Sequence, residues 1–154
     1  MATLEFNESL VRIIGGAKTC EDVERTMAGA LHDAGFVKDS YCQAILDREV
    51  DFPTGLYSGG VNVAIPHCDI SHVNKGAMCV GVLKDPVPWG RMEDKTQTCD
   101  VRLVAMLALT DPKDHLATLR KVMNLVQDQQ LAEHIVKSDD PAEIYGLVAE
   151  KLAL

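Results

Sequence analysis

The sequence has no long apolar run and no N-terminal targeting signal. A membrane span needs roughly 18 consecutive apolar residues, whereas the longest apolar segment here, residues 103–109, fits a buried strand. The start of the chain lacks the basic end and apolar centre of a signal peptide. These absences predict a cytoplasmic protein without direct membrane insertion.

Closely spaced cysteine pairs and excess basic charge are also missing. The five cysteines are odd in number and form no close pair, which argues against a disulfide framework and fits a reducing compartment. Lysine and arginine total 15 against 23 acidic residues, giving a net charge of -8. That balance disfavours non-specific nucleic-acid binding and favours a cationic partner.

What the sequence contains predicts one domain over residues 1–154. The 47% hydrophobic and 25% charged contents are typical of globular proteins, and no repeat or linker divides the chain. Helical signals run from Thr19 to Gly35, from Asp39 to the residue before Pro53, and through the last third of the chain. Strand signals occupy the segments between. Helices around a set of strands give an α/β fold, and the order of elements does not require a purely parallel sheet. The strand candidates are 61–65, 77–83 and 101–109.

His67 stands at the end of the first of these strands. Residues 61–65 are largely apolar, and Pro66 has no N–H with which to continue a strand ladder. We therefore expect His67 to lie where the strand leaves the sheet, with its backbone rigidly held. Three interpretations of this histidine are open: a metal ligand, the base of a Cys–His pair, or a nucleophile in its own right.

The three interpretations differ in what they require of neighbouring residues. A metal site would recruit Cys68, His72 or Cys79, but the sequence has no CxxC or HExxH spacing, so zinc is disfavoured. Cys68 is a poor pair for His67 because adjacent side chains on an extended chain point in opposite directions. A neutral imidazole has a nitrogen lone pair near pH 7 and attacks without a separate base.

Phosphoryl attachment to His67 would need nearby donors, and two candidates stand out. Arg48 ends the second predicted helix, where its alternative role is a solvated cation favoured by the helix dipole. His115 lies in the first turns of the helix that begins at Asp111-Pro112, where unpaired N–H groups attract anions. Its alternative role is that of a surface histidine in the capping turn.

Four short segments occur in order: Arg48-Glu49, Pro53-Thr54-Gly55, Ala64-Ile65-Pro66-His67, and His115-Leu116 followed by Leu119. Together they resemble the enzyme IIA domain of the bacterial phosphoenolpyruvate-dependent sugar phosphotransferase system, mannitol/fructose class, over essentially the whole chain. Residues 52–55 and 65–69 resemble the galactitol-specific branch more closely than the mannitol or nitrogen-regulatory branches. The resemblance implies a mixed β-sheet flanked by helices on both faces.

The resemblance also implies a function, that of a histidine phosphocarrier. His67 would accept a phosphoryl group from phospho-HPr and pass it to a cysteine of enzyme IIB, which works with a membrane IIC component in polyol uptake, with galactitol as the expected substrate. His115 and Arg48 match the residues that stabilise the phosphoryl group. No cofactor or metal is implied. The alternative is a regulatory module that signals through its phosphorylation state.

One position departs from the mannitol-type pattern. Those members have a glutamate shortly before the active histidine, whereas this chain has Asn62 in that region. An asparagine cannot supply negative charge, so we assign Asn62 no catalytic role. Cys68 is interpreted as a packing residue and a marker of the branch.

Overall fold

The computed structural model describes residues 4–153, except for the side chains of Asp114 and His115. Five strands form one sheet: β1 (Val11–Ile14), β2 (Gly55–Leu56), β3 (Asn62–Ala64), β4 (Ala77–Gly90) and β5 (Thr98–Ala108). The described helices are α1 (Cys20–Asp33), α2 (Tyr41–Asp51), α3 (Pro112–Gln127), α4 (Gln129–Lys137) and α5 (Pro141–Leu152), with short 3₁₀ turns at Glu8–Leu10 and Ile70–His72.

The sheet is mixed, in the order β1-β4-β5-β3-β2. Strand β1 runs parallel to β4, and β3 runs parallel to β5, while the β4–β5 and β2–β3 pairs are antiparallel. Every residue from Ala77 to Leu83 of the interior strand β4 is buried. Successive side chains of a strand point to opposite faces of the sheet, so a strand in which all of them are buried must be covered on both faces. The predicted α/β fold, with a mixed sheet flanked by helices on both faces, is confirmed.

The helix boundaries follow local capping chemistry. The Thr19 side chain accepts a hydrogen bond from the Asp22 N–H, and the Asp22 carboxylate accepts one from the Thr19 N–H, which completes the predicted capping box of α1. The chain turns out of this helix at Gly35, whose φ of +83° suits glycine. Helix α3 begins at Pro112, with Asp111 as the N-cap that accepts from the Lys113 N–H.

Strands β1 and β2 were not predicted, and β4 was predicted too short. Strand β1 is only four residues long, and β2 is a two-residue pairing, and neither was among the predicted strands. Strand β4 was predicted to end at residue 83, but it continues to Gly90. The register of β4 against β5 shifts between Val82 and Val87, so the irregularity accommodates Pro86 within the strand.

No helix within residues 4–153 is both long enough and apolar enough to cross a membrane.

Candidate functional site

The site lies at the sheet edge where the parallel strands β3 and β5 both end. Because these strands are neighbours and parallel, their carboxyl ends lie on the same side of the sheet, which is where α/β proteins bind ligands. Strand β3 continues into Pro66, whose carbonyl accepts a 2.9 Å hydrogen bond from the Leu107 N–H of β5. His67 follows at once, and β5 leads into the N-terminus of α3. The topology thus brings His67 and the start of α3 together.

The orientation of the His67 ring is set by the backbone two residues earlier. Its Nδ1 lies 2.8 Å from the carbonyl oxygen of Ile65. A carbonyl oxygen only accepts, so Nδ1 must carry the proton and donate it. In the neutral ring Nε2 is then the nitrogen with the lone pair. The side chain is half-buried, and this tautomer is suited to nucleophilic attack through Nε2.

His67 and Arg48 line two adjoining clefts. The larger has a volume of about 460 Å³, and the smaller has a volume of about 250 Å³. Pro112 lines the smaller cleft, so the beginning of α3 borders the histidine. The larger cleft is also lined by two cations, Arg48 and Lys95, and one carboxylate, Asp51. A helix N-terminus and an arginine beside one histidine favour an anionic group there.

The three predicted site residues are described to different extents. Arg48 lies at the end of α2 as expected, and its guanidinium carbon stands 5.1 Å from the centre of the Phe52 ring. Position 115 falls on α3, as predicted, but the side chain of His115 lies outside the described residues. The structure therefore brings His67 and Arg48 together and leaves the role of His115 a prediction.

The alternative roles for the neighbours of His67 find little support. Cys68 is buried, and burial, followed by the charge of Asp69, raises the pKa of its thiol to about 12. Such a thiol stays protonated near pH 7 and is a poor nucleophile or ligand. His72 accepts or donates a 2.8 Å hydrogen bond with the Ser40 hydroxyl. Within the described part of the chain, no group of three or more histidine, cysteine, aspartate or glutamate side chains is arranged to hold a metal ion.

Asn62 is occupied by the backbone around it. Its amide nitrogen donates to the Asp100 carbonyl at 2.9 Å, and its amide oxygen accepts from the Ser58 N–H at 2.8 Å. These bonds join β3 to β5 and to the loop before β3. The buried amide thus has a structural use.

The Pro53-Thr54-Gly55 turn is held against the end of β4. A Cβ on Gly55 would lie 2.5 Å from the Gly90 carbonyl oxygen, and a Cβ on Gly90 would lie 2.8 Å from Cβ of Pro53. The two backbones therefore approach closely only because both residues are glycine. The Gly55 carbonyl accepts from the Met92 N–H at 2.8 Å. This contact fixes the wall of the larger cleft.

Sequence reasoning missed the buried residues that hold this turn. Glu49 was noticed only as part of a motif, although its carboxylate accepts hydrogen bonds from both the N–H and the hydroxyl of Thr54. Glu24 was missed because it lies within an otherwise ordinary helical pattern. The one available signal was its position between Val23 and Met27, which places a charged residue beside the buried stripe of α1.

Comparison with known proteins decides the family. The family model described as "Phosphoenolpyruvate-dependent sugar phosphotransferase system, EIIA 2" matches residues 5–151. The chain belongs to this EIIA 2 family. It is therefore a phosphotransferase component of the sugar phosphotransferase system, as the sequence motifs predicted.

Relatives and solved structures agree with that assignment. The galactitol-specific EIIA component of Escherichia coli strain K12 is 29% identical over 102 residues, which is 66% of this chain and 67% of that relative. The crystal structure of IIA mannitol from Escherichia coli has a TM-score of 0.77 at 25% identity and covers 95% of this chain and 100% of its own. An NMR structure of Escherichia coli enzyme IIA mannitol with phosphorylated IIB mannitol shares the fold, with a TM-score of 0.77, 24% identity and coverage of 98% and 99%.

Proposed function

We propose that His67 is the phosphorylated residue of this EIIA 2 protein. It accepts a phosphoryl group from phospho-HPr and passes it to a cysteine of enzyme IIB, in the uptake of a polyol, with galactitol as the first candidate. The observation that carries this proposal is the 2.8 Å contact from Nδ1 of His67 to the Ile65 carbonyl, which assigns the lone pair to Nε2. No cofactor or metal takes part in the proposed transfer.

The proposed chemistry is a direct displacement at phosphorus. The Nε2 lone pair forms the new P–N bond while the bond to the donor breaks, and the donor keeps that electron pair. In the second step the IIB thiolate forms a P–S bond while the P–N bond breaks, and the electron pair of the P–N bond returns to Nε2. Since phosphoryl transfer proceeds with charge spread over the phosphoryl oxygens, alignment and electrostatics account for most of the rate. The Ile65 carbonyl remains bonded to Nδ1–H in both forms and prevents the ring from turning.

The charge of phosphohistidine has two sources of stabilisation in this arrangement. Arg48 lines both clefts with His67, and guanidinium groups hold phosphate oxygens through paired hydrogen bonds. The beginning of α3 also borders the smaller cleft, and its macrodipole favours a negative group. The apolar cover from Ile65, Leu119 and Met123 excludes part of the water that would hydrolyse the phosphoimidazole.

The mouth of the larger cleft has the features of a partner surface. Four exposed residues surround it, and we refer to them as the rim: Arg48, Phe52, Met92 and Lys95. Phe52 is 61% exposed and Met92 is 46% exposed, which suits an interface that forms and separates during each transfer. Carrier proteins such as HPr and IIB are the proposed occupants.

The relatives support the finer parts of the proposal. The galactitol-specific EIIA relative suggests the substrate class, and the complex of a structural neighbour with phosphorylated IIB suggests the acceptor. In this proposal enzyme IIB works with a membrane IIC component, which binds the sugar. We further propose that residues 1–154 form a single EIIA domain that acts in the cytoplasm.

A phosphorylation assay tests the function. The protein and a His67→Ala variant are incubated with phosphoenolpyruvate, enzyme I and HPr, and acid-labile phosphate is measured. We expect label on the native protein and none on the variant. Equal labelling of both proteins would exclude His67 as the acceptor. Complementation of a galactitol-negative strain tests the transport role, and phosphorylation without restored uptake would favour the regulatory alternative.

A separate prediction concerns His115. Because position 115 lies in the first turns of α3, beside the cleft that Pro112 lines, we expect His115→Ala to slow transfer at least about tenfold, since a hydrogen bond to a charged group contributes about 1.5 to 3 kcal/mol. Rapid-quench kinetics from phospho-HPr and to phospho-accepting IIB would measure the change, and the midpoint of urea unfolding would remain that of the native protein. Unaltered rates in both directions would leave His115 without a role in transfer.

A further inference from the structure

Two carboxyl groups are buried together behind the Pro53-Thr54-Gly55 turn. Glu24 of α1 is 0% exposed and Glu49 of α2 is 8% exposed. A buried carboxylate is costly unless hydrogen-bond donors or a counter-ion compensate for the lost water. The partners of these two residues therefore determine which of them carries a charge.

The two carboxyl groups have unequal partners. Glu49 accepts hydrogen bonds from the Thr54 N–H at 2.6 Å and from the Thr54 hydroxyl at 2.8 Å. Neither carboxyl oxygen of Glu24 meets a donor among the described residues. A buried carboxyl group without a donor is satisfied when it holds a proton and donates that proton itself. The acceptor that it faces is the carboxylate of Glu49.

The surrounding charges agree with one proton on the pair. Burial, and then the negative charge of Glu49, raises the pKa of Glu24 well above its usual range. Burial also raises the pKa of Glu49, but the two hydrogen bonds from Thr54 oppose that rise, so of the two carboxyl groups Glu49 is the better suited to carry the charge. The other ionisable groups that face Glu24 are Cys20 and Glu21 from α1 and Tyr41 from α2. From β4, the indole of Trp89 faces Glu49, although it makes no hydrogen bond of normal geometry.

A continuous series of hydrogen bonds connects Glu49 of this pair to the reactive imidazole. The carbonyl of Thr54 accepts from the Ile65 N–H at 3.3 Å, and the carbonyl of Ile65 accepts from Nδ1 of His67 at 2.8 Å. The series of hydrogen bonds therefore runs from Glu49 through Thr54 and Ile65 to His67, and the Glu24 carboxyl group lies beside its buried end. Each step is a backbone or side-chain bond within a close-packed region, so a shift at Glu49 moves the carbonyl that orients the ring.

We propose that Glu24 and Glu49 share one proton and act as positioning residues for the phosphoryl transfer, by fixing Thr54 and hence the Ile65 carbonyl that orients His67. Glu24, Glu49, Thr54 and Ile65 are referred to below as the support. The transfer part of the proposal rests on the function proposed for His67. The orientation of the ring is a separate property that the free protein has without any phosphoryl donor.

Three substitutions test the support. Glu49→Gln replaces one acceptor oxygen by an NH₂ group, which cannot accept from Thr54. Glu24→Gln supplies a permanent neutral donor to Glu49 and preserves the series. Thr54→Val is a milder change that removes the hydroxyl donor and leaves the N–H bond. Glu133→Gln, an exposed residue on α4, is the control for the same change of charge.

Two measurements distinguish positioning from general stability. Two-bond ¹⁵N–¹H NMR spectra report the tautomer of His67 in the free protein, and rapid-quench kinetics report transfer from phospho-HPr. We expect Glu49→Gln to mix the two tautomers and to slow transfer roughly 10- to 100-fold, the size expected for a misplacement of up to an ångström. Glu24→Gln, which keeps a donor for Glu49, should slow transfer less than Glu49→Gln does, and Glu133→Gln should retain the native tautomer and a rate within about threefold of native.

The outcomes separate clearly. A folded Glu49→Gln protein with the native tautomer and rate would overturn the proposal. If that variant does not fold, Thr54→Val decides, with a partial tautomer change and a slowing of about threefold to tenfold expected and native values overturning it. If native protein accepts no phosphoryl group from HPr, the proposed function fails, while the tautomer spectra still test the positioning.

Discussion

Beneath His67 the side chains are buried and bonded to one another, whereas those around the mouth of the cleft are exposed and make few bonds to the fold. In the support, Glu49 holds Thr54 through two hydrogen bonds. Thr54 is bonded in turn to the backbone of Ile65, and the Ile65 carbonyl is bonded to His67. In the rim, Arg48 rests over the ring of Phe52, which is itself 61% exposed.

The difference follows from what each region must do. A nucleophile needs one fixed orientation, and buried polar groups with complete hydrogen bonding provide it at a cost in desolvation. A carrier must also bind two partners in turn and release both, for which an exposed mixture of apolar and cationic side chains is suitable. Substitutions that remove a hydrogen bond of the support should therefore change stability and transfer together, while those in the rim should change transfer alone.

The largest effect is expected at Gly55, where the support meets the end of β4. In Gly55→Ala the new Cβ would lie 2.5 Å from the backbone oxygen of Gly90, which cannot move aside like a flexible side chain. We expect a loss of about 2 to 3 kcal/mol in the free energy of unfolding, measured by urea titration, with slower transfer as well. Gly146→Ala in α5 is the control, because its Cβ meets no atom within 4 Å. It should be neutral or slightly stabilising. Equal stability of the two variants would mean that the turn is not tightly held.

The second effect concerns the pH dependence of stability. The folded-state pKa of Glu24 is raised, so near pH 7 the folded protein holds a proton that the unfolded chain has released. Stability contributed by this proton is complete below the unfolded pKa of about 4.3 and decreases as the pH rises towards the folded pKa. Glu24→Gln removes the titration and should flatten the profile by up to about 1.4 kcal/mol per pH unit between pH 6 and 8. Parallel urea-unfolding profiles for native and variant proteins would show that Glu24 binds no extra proton when folded.

Elements with local sequence signals could be predicted, and those that depend on pairing between distant segments could not. Periodicity and capping residues identified the helices, and Pro66 identified the strand exit at His67, since each of these signals is local. The pairing of β1 with β4 and of β2 with β3 was not recognised, because strands of four and two residues have no periodicity to read.

The candidate site shows the same limit. Arg48 and His67 were recognised because they belong to ordered motifs, whereas the link from Glu24 to Glu49 depends on how α1 packs on α2. Helix position could have shown that Glu24 borders a buried stripe, but no sequence spacing reveals which side chain of another helix it meets. The burial of Glu24 therefore became visible only in the folded structure.

The smallest of the three effects belongs to Arg48 in the rim. Its side chain is exposed and lies over Phe52, so Arg48→Ala should change the free energy of unfolding by less than about 0.5 kcal/mol. Transfer from phospho-HPr should nevertheless slow about tenfold, equivalent to about 1.4 kcal/mol, because the phosphoryl oxygens lose a guanidinium beside His67. Arg48→Lys keeps the charge but lacks the paired donors, and an intermediate rate is expected. If Arg48→Ala instead lowered stability as much as Gly55→Ala does, Arg48 would belong with the support, and the division between the support and the rim would be wrong.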